Sequence, residues 1–110
     1  MTLPKTSLIG APTVSTEVAL VDNTNRTPST TRPVLVFILV YGTIQQSGSG
    51  TAIATVGATV YDTATTRNYD AVSLQASTLS LCFIVPANTA YKVDWNGGGS
   101  LAGIAYEQVL

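Results

Sequence analysis

Six carboxylates, Glu17, Asp22, Asp62, Asp70, Asp94 and Glu107, are the groups with which this 110-residue chain could do acid–base chemistry. It has no histidine, which removes the commonest general base, the usual catalytic triad and most zinc and copper sites. Glycoside hydrolysis asks for two carboxylates facing each other. No spacing singles out such a pair, and each acid reads first as a solvated or turn-capping group. Cys82 would need a base to become a thiolate nucleophile. It sits inside LSLCFIV, an apolar run that disfavours the charged form, and is expected to be buried and inert. DNTN, 22–25, gathers oxygens of the kind calcium takes, but it lacks the ligand spacing and closing glutamate of a calcium loop and reads as a turn. NRT, 25–27, has the form of a glycosylation sequon, which carries weight only in a secreted chain.

The stretch most like a chemical motif is VDWNGGGSLAG, 93–103. A phosphate loop works by converging backbone N–H groups at the start of a helix, usually with a lysine to reach the phosphate. Here a strand pattern follows and no lysine does, so the glycines read as the turn of a final hairpin joining YKVDW to LAGIAYEQVL. That hairpin would hold Trp95 and Tyr106 on neighbouring strands, available to the core or to a sister subunit. No catalytic residue, metal ligand or cofactor is expected, and the chain does not read as an enzyme.

The elements that would carry these residues have strand periodicity. Thr and Val abound, and no window shows apolar positions at helical spacing. TVSTEVALVD, 13–22, opens the pattern. PVLVFILVYG, 33–42, is continuously apolar, as in a strand buried on both faces. AIATVGATVYD, 52–62, alternates, and TATTRN, 63–68, reads as a connection to YDAVSLQA, 69–76. TLSLCFIV, 78–85, ends at Pro86, and the turn PANTA leads to YKVDW, where Tyr91, Val93 and Trp95 share one face. In the last run Glu107 falls on the face of Leu101 and Ala105, with Gly103 a bulge or close-approach site. The expectation is an all-β fold, an antiparallel β-sandwich of jelly-roll type with about seven or eight strands over 13–110, preceded by an irregular N-terminal arm, 1–12.

Composition bounds the partners. Only 10% of residues are charged and 45% are hydrophobic, against roughly 25% charged in typical domains, so the surface is mostly Thr, Ser, Asn, Gln and Gly. A net charge of -1 without a basic cluster argues against nucleic acid. The longest apolar run, VLVFILVY, is far short of the roughly 20 residues that span a bilayer. The start, with one Lys and Pro4 and Pro12, lacks the apolar core of a secretion signal. A lone cysteine rules out an internal disulfide.

SLCFIVPANTAYKVDWNGGGSLAGIAYEQVL, 80–110, resembles the C-terminal segment of small tailed-bacteriophage virion domains, found on tail fibres and as head-fibre or decoration proteins. The shared elements are Ile84-Val85-Pro86, the turn to Tyr91, Gly97 to Gly99, and Tyr106-Glu107. Upstream, the polar lead into Arg32-Pro33 and its apolar strand resembles the same group, so the likeness runs from 25 to 110. One departure is Tyr106, where that group has Trp. The resemblance implies a β-sandwich that attaches to a phage particle and catalyses nothing: a capsid decoration or cement protein, homotrimeric, binding the major capsid protein or another virion protein. The alternative it implies is a fibre module for host recognition. The candidate interface residues are Leu3, Pro4, Leu8 and Ile9 of the arm, with Trp95 and Tyr106. The expected location is the virion, after synthesis in the bacterial host cytoplasm.

Overall fold

The structure, a computed structural model, describes residues 15–110. These form an all-β sandwich of seven strands: β1 (Thr16–Leu20), β2 (Val34–Ile44), β3 (Ser49–Val56), β4 (Thr59–Arg67), β5 (Gln75–Val85), β6 (Tyr91–Asn96) and β7 (Leu101–Val109). One sheet has the order β1-β7-β2-β5, the other β4-β3-β6, and every pairing is antiparallel. The predicted arm, 1–12, lies outside the described residues.

The pairings are nested. β1 pairs with β7, β2 with β5 and β3 with β4, and a single bridge joins Arg26 to Tyr91 of β6. The first element thus meets the last, the second the next to last, and so inward, which is a double ribbon wound into a jelly roll. Its eighth strand has shrunk to the Arg26 bridge. The sequence explains why: DNTNRTPSTTR has no apolar alternation, turns at Asn23 in the left-handed region (φ 54°), and carries Pro28, which cannot donate to a ladder.

Alternation of side chains fills the space between the sheets. Val34, Val36, Ile38 and Val40 of β2 and Leu79, Leu81, Phe83 and Val85 of β5 face Ala52, Ala54 and Val56 of β3 and Tyr91 and Val93 of β6. The valines and leucines of β2 and β5 meet the small Ala52 and Ala54 of β3 on one side and the large Tyr91 of β6 on the other, which lets the layers interdigitate. Phe83 and Tyr91 meet edge to face at 5.5 Å between ring centroids, a contact worth about 0.5–1.5 kcal/mol beyond its area.

Four details differ from the sequence expectation. Residues 52–62 are two strands, because the chain reverses at Gly57–Ala58. Residues 63–67 are strand rather than connection, and 68–74 are loop rather than strand. β2 is buried on one face only: Val36 and Ile38 are inside, while Phe37 and Tyr41 are 41% and 44% exposed. The predicted final hairpin does not form either, since β6 and β7 belong to opposite sheets and residues 97–100 cross between them.

That crossing is what the glycine run shapes. Gly98 takes φ +71°, and a Cβ on Gly99 would lie 2.2 Å from the Thr43 carbonyl oxygen. The glycines are needed as much for close approach to Thr43, Ile44 and Gln45 as for a positive dihedral at Gly98.

Candidate functional site

The polar side chains of the described residues work mostly on the fold itself. Glu107 points inward from β7 and is 6% exposed. Its Oε2 accepts from Arg26 Nε at 2.7 Å and from Tyr91 Oη at 2.6 Å, and its Oε1 accepts from Arg26 Nη2 at 2.7 Å. Because β7 and β6 lie in different sheets, the Tyr91–Glu107 bond spans the sandwich interior. Arg26, on the vestigial eighth strand, closes the open side between them.

Burial alone pushes the Glu107 carboxyl up, but the hydrogen bonds from Arg26 and Tyr91 and the charge of Arg26 outweigh it and leave it below the usual carboxylate range. Burial first, then the bond to Glu107, raises the Tyr91 phenol. The Arg26 guanidinium is raised chiefly by its bond to Glu107. Glu107 is therefore ionised, fully partnered and occupied, which corrects the expectation of a solvated or turn-capping acid. The signal in the sequence was its phase with Leu101 and Ala105. Its partners came from 16 and 81 positions away and carried none.

Other acids do hold turns and edges. Asp70 Oδ1 accepts from the N–H groups of Val72 and Ser73 at 2.8 and 3.2 Å. Asp22 Oδ1 accepts from Trp95 N–H at 2.9 Å, tying 22–25 to β6 as a turn. Asp62 accepts from its neighbour Thr63 and, across the other open side, from Cys82 N–H of β5 at 3.2 Å. An edge strand with free N–H groups invites pairing with another chain, and here one of them is occupied by a carboxylate.

Asn68, fully buried, was not anticipated. Its Nδ2 donates to the carbonyls of Ile44, Gln45 and Ser73 at 2.9–3.1 Å, and its Oδ1 accepts from Asp70 N–H. It gathers the β2–β3 turn and the 68–74 loop onto one amide, which explains why YDAVSLQA does not extend as a strand.

The remaining features of interest are surfaces. Outward positions of the β1-β7-β2-β5 sheet form rows in register: Tyr106, Phe37 and Cys82; Ile104, Leu39 and Ser80; Gln108, Leu35 and Ile84. Phe37 and Tyr106 stand with ring centroids 6.4 Å apart, and Ile84 is 50% exposed. Cys82 lies on this face and is exposed, a correction to the buried reading. β5 carries Cys82 and Ile84 on its outer face beside Thr78 and Ser80, and only Leu79, Leu81, Phe83 and Val85 point to the core.

Of the six predicted interface residues, Leu3, Pro4, Leu8 and Ile9 lie outside the described residues. Tyr106 is on the apolar outer face. Trp95 is not beside it: it points inward from β6 and its ring lies against Gly103 of β7, where an added Cβ would be 2.6 Å from the indole. Trp95 also edges an open groove of about 320 Å³ with Asp22, Asn96, Gly97 to Gly99 and Leu101. Among the described residues no group of three or more side chains is arranged to hold a metal ion, and no helix is long and apolar enough to cross a membrane. Comparison with protein-family models, curated proteins and solved structures returned no match.

Proposed function

We propose that this chain is a structural virion protein of a tailed bacteriophage, a capsid decoration or cement protein that stabilises the head shell as a homotrimer. The observation that carries the structural role is the use to which the polar groups are put: Glu107, Asp22, Asp62, Asp70 and Asn68 each stitch backbone or strands together. A sandwich cross-linked on both open sides is suited to bearing load. The phage assignment draws its support from the resemblance of residues 25–110 to virion domains. Binding that buries surface only in the native state adds stability by mass action, to the shell as well as to the chain. The partner is the major capsid protein or another virion protein, and the virion is the location. The test is to add purified protein to heads assembled without it and image them: regular occupancy and a raised disassembly temperature support the reading, and heads that stay bare overturn it.

A second reading, host recognition by a fibre module, is favoured by the groove at Trp95. An indole edge with Asp22 and Asn96 beside it is the kind of lining that grips sugar hydroxyls. Specific binding of labelled protein to host cells, abolished by Trp95→Ala, would support it over the first.

A further inference from the structure

The two outer faces of the sandwich differ in chemistry, although both belong to the same 110 residues. Outside the β4-β3-β6 sheet stand Thr51, Thr55, Thr63, Thr65, Lys92 and Asp94, with Ile53 and the exposed Val60 scattered among them, a threonine-rich face that mixes charges of both signs with single apolar side chains. Outside the β1-β7-β2-β5 sheet stand Phe37, Leu39, Tyr41, Ile84, Ile104 and Tyr106. Phe37, Tyr41 and Ile84 are each between 41% and 50% exposed. The one charge at the outward positions of these four strands is Glu17, on the edge strand. Soluble proteins do not leave large contiguous apolar faces in water, and such a face marks an interaction site.

Two arguments identify the occupant. Four strands about 4.8 Å apart and about nine residues long, at about 3.4 Å per residue, present roughly 600 Å². That approaches the ~800 Å² that each partner contributes to a stable interface. The second argument is charge. A face that lines the symmetry axis of an assembly is met by copies of itself, so there a face of one sign would repel itself. On this face β7, β2 and β5 carry no charge and Glu17 stands at the β1 rim, at the end of the row through Tyr106 and Phe37; homomeric interfaces likewise have cores depleted of charge and polar rims.

We propose that the outer face of the β1-β7-β2-β5 sheet, centred on the Phe37–Tyr106 pair, is the surface on which this chain meets a second copy of itself. The inference rests on the self-association in the function proposed above and names the surface that carries it.

Light scattering of the full chain, whose subunit mass is 11.4 kDa, tests it. The native protein should have a multiple of that mass. Phe37→Glu and Ile84→Glu should each reduce it to one subunit while the far-ultraviolet dichroism stays that of strands. Thr63→Glu, on the other sheet's outer face, should leave the mass unchanged. Ile84→Glu serves if Phe37→Glu fails to fold. A native protein of one subunit, or an oligomer unmoved by either glutamate, overturns the proposal. So does a monomer that associates only after residues 2–14 are deleted, because the chain's own start then covers the face. A glutamate-sensitive oligomer that leaves capsids bare supports this interface and overturns the virion reading alone. A monomer that binds capsids through Phe37 overturns this interface alone.

Discussion

Arg26 and Glu107 stand 81 positions apart in the chain and meet in a two-point ion pair, each contact 2.7 Å long. The guanidinium fork matches the carboxylate edge, which a lysine cannot do. Arg26 sits on the element that would be the eighth strand, and Glu107 on a strand in the middle of the four-stranded sheet. The pair does for the 22–32 segment what a ladder of backbone hydrogen bonds does for a full strand.

Removing Arg26 leaves Glu107 buried with Tyr91 as its remaining partner. Because Arg26 is 37% exposed, Arg26→Ala is expected to cost about 1–2 kcal/mol, between the value of a surface pair and the roughly 3–5 kcal/mol lost when one member of a fully buried pair is removed. Arg26→Lys should recover only part of it. Urea denaturation monitored at Trp95 measures both, and an Arg26→Ala midpoint equal to that of the native protein would contradict the account.

The pH dependence has two limbs with opposite causes. Glu107 is depressed in the fold, so its contribution is complete above the unfolded carboxyl value of about 4.3. It is lost as pH falls through the lower folded value. Tyr91 is raised, so it stays protonated after unfolded tyrosine starts to ionise near pH 10, and stability declines as pH rises from there. Thermal unfolding across pH should show Glu107→Gln flattening the acid limb and Tyr91→Phe the alkaline one.

Gly103 leaves room for the indole of Trp95. Gly103→Ala forces the ring or the strand to shift and is expected to cost about 1–3 kcal/mol, the usual range for overpacking. Tryptophan emission should move with it. Combining the change with Trp95→Leu should restore part of the loss, and strict additivity of the two would mean that they do not share the site.

Cys82 pairs with Phe37 across β2 and β5 on the outer face. In Ile84→Glu, dissociated to single subunits, a soluble thiol reagent should label it without denaturant. In the native assembly labelling should be markedly slower. Equal rates in the two would show the face to be open.

Much of the fold was legible because the inward side chains keep a period of two, as in YKVDW, where Tyr91, Val93 and Trp95 all point inward. The errors have physical causes. VLVFILVY looked buried on both sides, and Cys82 in LSLCFIV looked buried, because outer positions such as Phe37, Leu39 and Ile84 are apolar too, and sequence does not distinguish a core from a contact surface. The Gly57–Ala58 reversal carries a single turn residue, so 52–62 looked continuous. The 68–74 loop has strand-like alternation and is held out of the sheet by Asn68 and Asp70, through bonds that reach as far as Ile44. Glu107 could be placed on the inner face, whereas its ion pair depends on a fold that brings residue 26 to it.

The nesting of the strands also governs the order in which the domain can be completed. β7, residues 101–109, lies between β1 and β2 and is the one strand to which β1 is paired. Until it arrives, β1 has no sheet to join, Arg26 lacks Glu107 as its counter-ion, and the four-stranded layer is only the β2–β5 pair. A chain cut before residue 101 therefore lacks β7 and leaves β1 outside the sheet as well. What remains would show its long apolar β2 edge to any neighbour, so partial synthesis should yield aggregates rather than smaller sandwiches.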